Sequence, residues 1–291
     1  MNNSTQKNET SLEMQKRLLD YQGEDQIIEH EELLRQAQAQ PPIMIKTKFD
    51  RFDFLLGGGI EETDLAILTG NTNNGKTTFG IALAVNLSEQ GIETCYFSFE
   101  MGNIQVVRRF PQFPQKTHLL CMPAQYTHKN LKWLEDRIVE AKIKFNAKVI
   151  FLDNLDFIVP LLFSSNLDIS TRFCIQTLKT ITIKHNIALM LTAHTRKNSG
   201  DPDIMDIKDS KSIGDLSDWA AVVSLIDREQ GKGNVKLIKN RHEWGHMGSI
   251  FTLHDFQTRE TSEMNEEQSK AIETATKKEV NLKELDFTKQ L

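Results

Sequence analysis

No stretch of this 291-residue chain approaches the roughly 18–20 consecutive apolar residues that a membrane-spanning helix requires. The nearest candidate, Val149 to Phe163, is broken by Asp153 and Asp156, so no membrane partner is expected. Met1 to Ser11 is polar and lacks the apolar centre of a secretory signal. Only three cysteines are present, Cys95, Cys121 and Cys174, far apart in the chain. They show no metal-ligand spacing, which excludes a zinc-ribbon module and fits free thiols in a reducing cytoplasm. A cytoplasmic location is expected, with nucleoid association or a phage or mobile-element origin left open. An excess of positive charge is also missing, since the net charge is −5. The acidity sits in the ends: residues 1–45 hold four basic and eight acidic side chains, and residues 259–291 hold six and eight. The remainder of the 35 basic and 40 acidic groups leaves 46–258 at a net +1. Charge therefore neither excludes nor supports a basic channel on the core.

What is present reads as one large α/β domain with short appendages. Residues 1–24 are polar and are expected to be mobile. From Asp25 to Gln40 apolar residues recur at helical spacing, with Pro41 and Pro42 stopping the helix,. That amphipathic helix is marginal alone and needs a surface, either its own core or a neighbouring subunit. From Lys46 onward apolar β-rich runs alternate with helical patterns. Strands are expected at Leu65–Leu68, Thr94–Phe99, Val149–Leu152 and Ile187–Thr192, with helices over about 76–90, 129–145 and 169–185. Strands that are apolar throughout belong to a sheet covered on both faces. Late strands near 221–226, 235–239 and 250–254 follow one another through turns, so the sheet is expected to end in an antiparallel portion. The division expected is an arm over 1–45, a core over 46–258 and a charged tail over 259–291.

Between the first strand and the first helix of that core runs Gly70-Asn71-Thr72-Asn73-Asn74-Gly75-Lys76-Thr77, followed by Thr78. This is the Gly-x-x-x-x-Gly-Lys-Thr phosphate loop in the context its mechanism needs. Glycines let the backbone wrap phosphates, and amide N–H groups with the positive helix end bind the anion. Lys76 is expected to reach the β- and γ-phosphates of ATP, and Thr77 to ligate Mg²⁺. Asp153 ends a buried strand beside this loop, which suits a carboxylate on the magnesium side; its other reading is a helix cap. Glu100 follows another strand and either polarises the attacking water or caps the next helix. His242-Glu243-Trp244-Gly245-His246 spells the His-Glu-x-x-His zinc string. That string binds metal only on a helix, and here it falls in a turn, so no zinc is expected.

The run Phe49 to Ile60 with its glycine triplet Gly57-Gly58-Gly59, the phosphate loop, and Ser98-Phe99-Glu100-Met101 together resemble the RecA-like ring ATPases. That superfamily includes DnaB-type replicative helicases, Twinkle, phage primase-helicases and RadA recombination helicases, and the resemblance covers nearly all of 46–258. It implies a RecA-like core and places His194, in Leu191-Thr192-Ala193-His194, where these families carry a γ-phosphate sensor. It likewise implies that Lys239 and Arg241, in Ile238-Lys239-Asn240-Arg241, reach into the ATP site of the next subunit of a homo-oligomeric ring, with a hexamer expected. Such cations stabilise charge spreading over the γ-phosphate. The sequence departs from DnaB in lacking its large helical amino-terminal domain, and in Lys211 where a glycine usually stands.

Ring helicases grip single-stranded DNA through channel loops that contact the backbone. Two segments fall at the matching places. Pro160 to Arg172 is apolar at Leu161, Leu162 and Phe163. The second, 196–211, carries Arg196, Lys197, Asn198, Lys208 and Lys211, which suit phosphate contact or form an ordinary surface loop. The function expected is an ATP-dependent helicase or translocase in replication. The alternatives are a RadA-like recombination or repair ATPase, or a nucleotide-switched loader or regulator whose partners bind the arm or the tail.

Overall fold

The structure is a computed structural model that describes residues 10–23, 26–39, 41, 43–111, 119–126, 130–158, 167–195, 215–272 and 274. The chain divides into two units, Met1–Pro42 and Ile43–Leu291.

The first unit contains two helices. Helix α1 (Ser11–Leu19) lies where the polar composition leads one to expect no structure. A local signal accounts for it: Glu13 N donates to the Thr10 hydroxyl, and the Glu13 carboxylate accepts from Thr10 N at 2.9 Å. This reciprocal box satisfies two of the donors a helix start leaves open. Helix α2 (His30–Ala39) is shorter than the apolar spacing suggests, and Ile27 stands fully exposed before it. No residue of either helix is buried.

The second unit opens with β1 (Met44–Ile45), paired antiparallel with β2 (Ile60–Glu61) around helix α3 (Asp50–Leu55). The main sheet holds β3 (Leu65–Gly70), β4 (Thr94–Ser98), β5 (Leu120–Cys121), β6 (Val149–Asp153), β7 (Ala188–His194), β8 (Trp219–Asp227), β9 (Lys232–Asn240), β10 (Gly248–His254) and β11 (Thr261–Glu263). Their order is β11-β10-β9-β8-β3-β7-β6-β4-β5. Strands β5 to β8 in that order are mutually parallel, and β8 through β11 are antiparallel. This is the expected α/β architecture, a mainly parallel RecA-like sheet with an antiparallel carboxyl-terminal portion. The sheet continues past Thr258, where charge suggests a tail: β11 pairs with β10, and Met264 beyond it is buried.

Helices α4 (Lys76–Ser88), α6 (Leu131–Phe145) and α7 (Leu167–His185) cover the sheet, and α5 (Asn103–Val107) follows β4. Strand alternation sorts the core into two layers. Ala66, Leu68, Tyr96, Phe151 and Met190 join α3 and α4 on one face. Leu65, Ile67, Phe97, Ile150 and Leu189 join α6 and α7 on the other. Both faces are covered, which explains why these strands carry apolar residues on both sides rather than on one,.

Register brings the carboxyl ends together. Gly70 pairs with His194, and Ser98 with Asp153. The residues that follow these strand ends therefore share one edge of the sheet, where open α/β sheets place their ligands. The antiparallel β9 runs the other way. Asn240 pairs with Trp219, which pairs with Ala66, so 239–241 lie about 13 Å or more along the strands from Gly70.

Candidate functional site

Strand β3 ends at Gly70, whose φ of 151° and crowding leave no room for a side chain: a Cβ there would stand 2.3 Å from the Val223 carbonyl oxygen. Gly75 caps α4 in the left-handed region at φ 88°, where glycine carries little steric cost. Between them the loop curls around its own lysine. Lys76 Nζ donates to Gly70 O at 2.8 Å and Asn71 O at 3.0 Å, and lies 3.2 Å from His194 Nδ1. Burial pulls the Lys76 pKa below the ordinary lysine value, against the opposing pull of Asp153, Glu100 and Asp156.

Asp153 is buried at the end of β6 and gathers three hydroxyls. Thr77 Oγ1 donates to its Oδ2 at 2.9 Å, Thr192 Oγ1 to its Oδ1 at 2.6 Å, and Tyr96 Oη to Oδ2 at 3.3 Å. The Tyr96 pKa is pushed well up by burial and by Asp153, so the phenol stays a donor. Thr77 and Asp153 present adjacent hard oxygens beside the phosphate loop, a donor set that suits a small hard cation such as Mg²⁺.

Glu100 lies just beyond β4. Asn154 Nδ2 donates to Glu100 Oε2 at 3.0 Å and stands 3.3 Å from His194 Nε2. Both ring nitrogens of His194 thus face donors, Lys76 on one side and Asn154 on the other. A neutral imidazole has one acceptor nitrogen, so only one of these contacts is a full hydrogen bond at a time. Asn154 is 1% exposed and escapes sequence reading, because nothing local marks an asparagine as bridging residues 54 positions before it and 40 after it.

Lys76, Thr77, Glu100, Asp153 and His194 line a cleft of about 460 Å³ together with Arg109, Arg228 and Phe256, three further residues without a sequence signal. Arg228 Nη2 donates to Asn73 O at 3.1 Å, so the β8–β9 turn touches the phosphate loop.

Lys239 and Arg241 are not brought to this cleft. Lys239 Nζ donates to Ser217 O, and Arg241 Nη2 to Asp215 O, at the opposite edge of the sheet. Burial, then the neighbouring Arg241 charge, lowers the Lys239 pKa to about 8. Arg196, Lys197, Asn198, Lys208 and Lys211 lie outside the described residues, as does Leu161-Leu162-Phe163.

The His-Glu-x-x-His string lies in the turn between β9 and β10. Its two imidazoles diverge: His246 stacks on Phe54 with ring centroids 4.8 Å apart, whereas His242 is bound to Asp64. Glu61, Asp64 and His242 do bring ligand-type atoms within 4.8 Å of one another. The His242 nitrogens, however, both face oxygen acceptors, Leu56 O at 2.6 Å and the Asp64 carboxylate at 2.9 and 3.1 Å. With both nitrogens protonated, the ring is satisfied by these two acceptors alone.

The profile of a family described as an AAA domain matches residues 30–200. The replicative DNA helicase DnaB of Synechocystis sp. is 36% identical over 66 residues, which is 22% of this chain and 8% of that protein. The DNA repair protein RadA of Campylobacter jejuni is 29% identical over 85 residues, 29% of this chain and 19% of that one. The chain thus aligns with less than a fifth of the length of either relative. Among solved structures, an isolated ATPase domain superposes with a TM-score of 0.68 at 12% identity, covering 80% of this chain and 96% of that one. A DnaB-like replicative helicase, whose structure was solved to study its interactions with primase, superposes with a TM-score of 0.66 at 11% identity. That match covers 87% of this chain and 71% of the helicase.

Proposed function

The chain belongs to the AAA domain family, and from that premise we propose that it is an ATPase of the replicative-helicase type, working as a ring on single-stranded DNA. The observation that carries this reading is the division of the catalytic groups. Lys76, Thr77, Asp153, Glu100 and His194 converge on one cleft, while Lys239 and Arg241 lie on the far edge of the sheet. A cation on the far edge is too distant to meet the nucleotide of its own subunit, which leaves a neighbour's nucleotide as the one it would serve.

Within a subunit, the amides of 71–76 and the start of α4 bind the phosphates. Bound between Thr77 and Asp153, Mg²⁺ would supply charge neutralisation on the β- and γ-phosphates. Glu100, held by Asn154, accepts the hydrogen of the attacking water and so orients it. Lys76 leaves the carbonyls of Gly70 and Asn71 for the phosphates. His194 Nδ1 then loses its lysine contact and takes up a proton from solvent as Nε2 gives its own up, so that the lone pair lies at Nε2, facing Asn154, the residue that holds Glu100. Occupancy of the γ-position is in this way reported to the water-orienting carboxylate. Arg241, with Lys239, closes over the γ-phosphate from the adjacent subunit. Arg196, Lys197, Asn198, Lys208 and Lys211 are proposed to contact the DNA backbone in the channel.

Lys239-Asn240-Arg241 and the match to RadA favour, as a second reading, a recombination or repair ATPase on the same machinery. Two measurements test the set. ATP hydrolysis is expected to rise with protein concentration and with single-stranded DNA, and a forked duplex to be unwound. Hydrolysis stimulated by DNA without strand displacement selects the second reading, and hydrolysis indifferent to both overturns the first two.

A further inference from the structure

The turn that carries Arg241 is fastened to the rest of the subunit by an unusual set of contacts. Asn240 Nδ2 donates to Leu55 O at 2.8 Å, and His246 N donates to the same oxygen at 2.7 Å. The Arg241 amide donates to Asp218 O at 2.9 Å. At the centre sits His242, its side chain only 5% exposed, with Nδ1 2.6 Å from Leu56 O and Nε2 2.9 Å from Asp64 Oδ1. A carbonyl and a carboxylate only accept, so the ring donates on both sides and is an imidazolium. Asp64 is itself fixed, since its Oδ2 accepts from Glu61 N at 3.0 Å and from the Trp219 indole at 2.9 Å.

We propose that His242 is a positioning residue for Arg241: a buried cation, tied to Leu56 and Asp64, that sets the direction in which the guanidinium leaves its own subunit for the neighbour's nucleotide. The inference rests on the reading that Arg241 acts in trans. Its physical basis is adjacency and rigidity. Arg241 itself is exposed and long, so its aim depends on the backbone beneath it. Asn240 precedes it and is pinned, and His242 follows it and is pinned. Without the second pin the turn keeps only the Asn240 side chain and the Arg241 and His246 amides to hold it, and its backbone is less firmly set. A displacement of about 1 Å at a catalytic group can cost roughly 10²-fold in rate. The charged groups facing the ring are both acidic, Asp64 in contact and Glu61 behind it. Burial pulls the ring's pKa down, but the Asp64 hydrogen bond and charge, the Leu56 carbonyl and Glu61 outweigh it and push it up to about 9.

Subunit mixing separates this role from a merely structural one. Full-length Lys76→Ala protein has a disabled phosphate loop but an intact Arg241, and Arg241→Ala protein is the reverse. If the site is shared, the two inactive proteins regain ATP hydrolysis when mixed. His242→Gln, which keeps polar reach without charge, is expected to lose about 10²-fold in turnover while binding Mg-ATP as the parent does. Mixed with Lys76→Ala it should regain activity, and mixed with Arg241→Ala it should not. Asp64→Asn, which keeps an acceptor and removes the charge, should fall in the same class and carries the test if His242→Gln does not fold. Should Arg241→Ala and Lys76→Ala fail to complement each other, the trans reading falls and this inference with it. Should that pair succeed while His242→Gln keeps full turnover alone, or complements Arg241→Ala, this inference alone is overturned.

Discussion

Thr77 Oγ1 and Asp153 Oδ2 meet at 2.9 Å, joining the first turn of α4 to the last residue of β6 across 76 positions of sequence. The contact makes the phosphate loop and the neighbouring strand end one polar unit, already spaced for a cation that would bind both. Asp153 is kept in place by Thr192 and Tyr96 as well, so its carboxylate needs little rearrangement.

Asp153→Asn preserves the shape of that unit and removes its charge. Hydrolysis is expected to fall about 10²–10³-fold, the scale set by loss of one preorganised electrostatic group. Phosphate release measured across a magnesium titration checks this. Unchanged turnover at saturating magnesium would show that Asp153 serves only as a cap.

Asn154→Ala should leave Glu100 without its 3.0 Å donor and His194 without its Nε2 neighbour. Turnover in a single-turnover assay is expected to drop about ten- to 10²-fold, with affinity for a non-hydrolysable nucleotide unaltered. A loss confined to affinity would remove Asn154 from the proposed relay.

Arg241→Ala is expected to lower turnover about 10³-fold or more if the guanidinium serves as a finger. Sedimentation should show the same assembly as the parent, because Arg241 is exposed and its amide contact to Asp218 survives the change. Full activity in this variant would refute the shared site.

His242 makes stability depend on pH. Its pKa is raised in the fold to about 9 from an ordinary 6.5. The stabilisation is therefore complete below about pH 6.5 and is lost as pH rises through about 9. It amounts to on the order of 3 kcal/mol, taken from the size of that shift. Melting temperature should decline over this interval, and His242→Gln should melt lower with a flatter profile. A profile identical in both proteins would contradict the imidazolium assignment.

Cys121 should be the reactive thiol of the three. It is half-buried, and the hydrogen bond from Cys95 lowers its pKa. That same bond, with burial, pushes Cys95 up, and burial raises Cys174 to about 12. Thiolates rather than thiols react, so a maleimide should label Cys121 first in the folded protein, as peptide mapping would show. Prior labelling of Cys174 would be inconsistent with its burial.

Much of the fold is readable from one-dimensional pattern. The apolar runs around Ile67, Ile150 and Leu189 and the glycine-punctuated loop before Lys76 depend on periods and steric limits that act between near neighbours. The helix at Ser11–Leu19 was equally local in origin, but its capping box is a smaller signal than the polar composition around it. The edge strand β11 gave little warning, because three polar residues on a sheet margin, two half-buried and one exposed, carry no hydrophobic period.

The amino-acid sequence by itself determined that Gly70 to Thr77 is a glycine-punctuated loop between a buried strand and a helix, that Asp153 ends one buried strand and Glu100 follows another, and that the strands alternate with helices. These follow from backbone freedom, strand burial and side-chain chemistry within a few residues. Only the tertiary structure decided that Asn154 joins Glu100 to His194, that Arg228 touches Asn73, and that a zinc-like string resolves into a doubly donating His242. Each of those depends on strand order and register, which bring together residues separated by 40 to 178 positions. No local pattern encodes such a juxtaposition, because it is settled by which sheet edges and loop ends pack against one another.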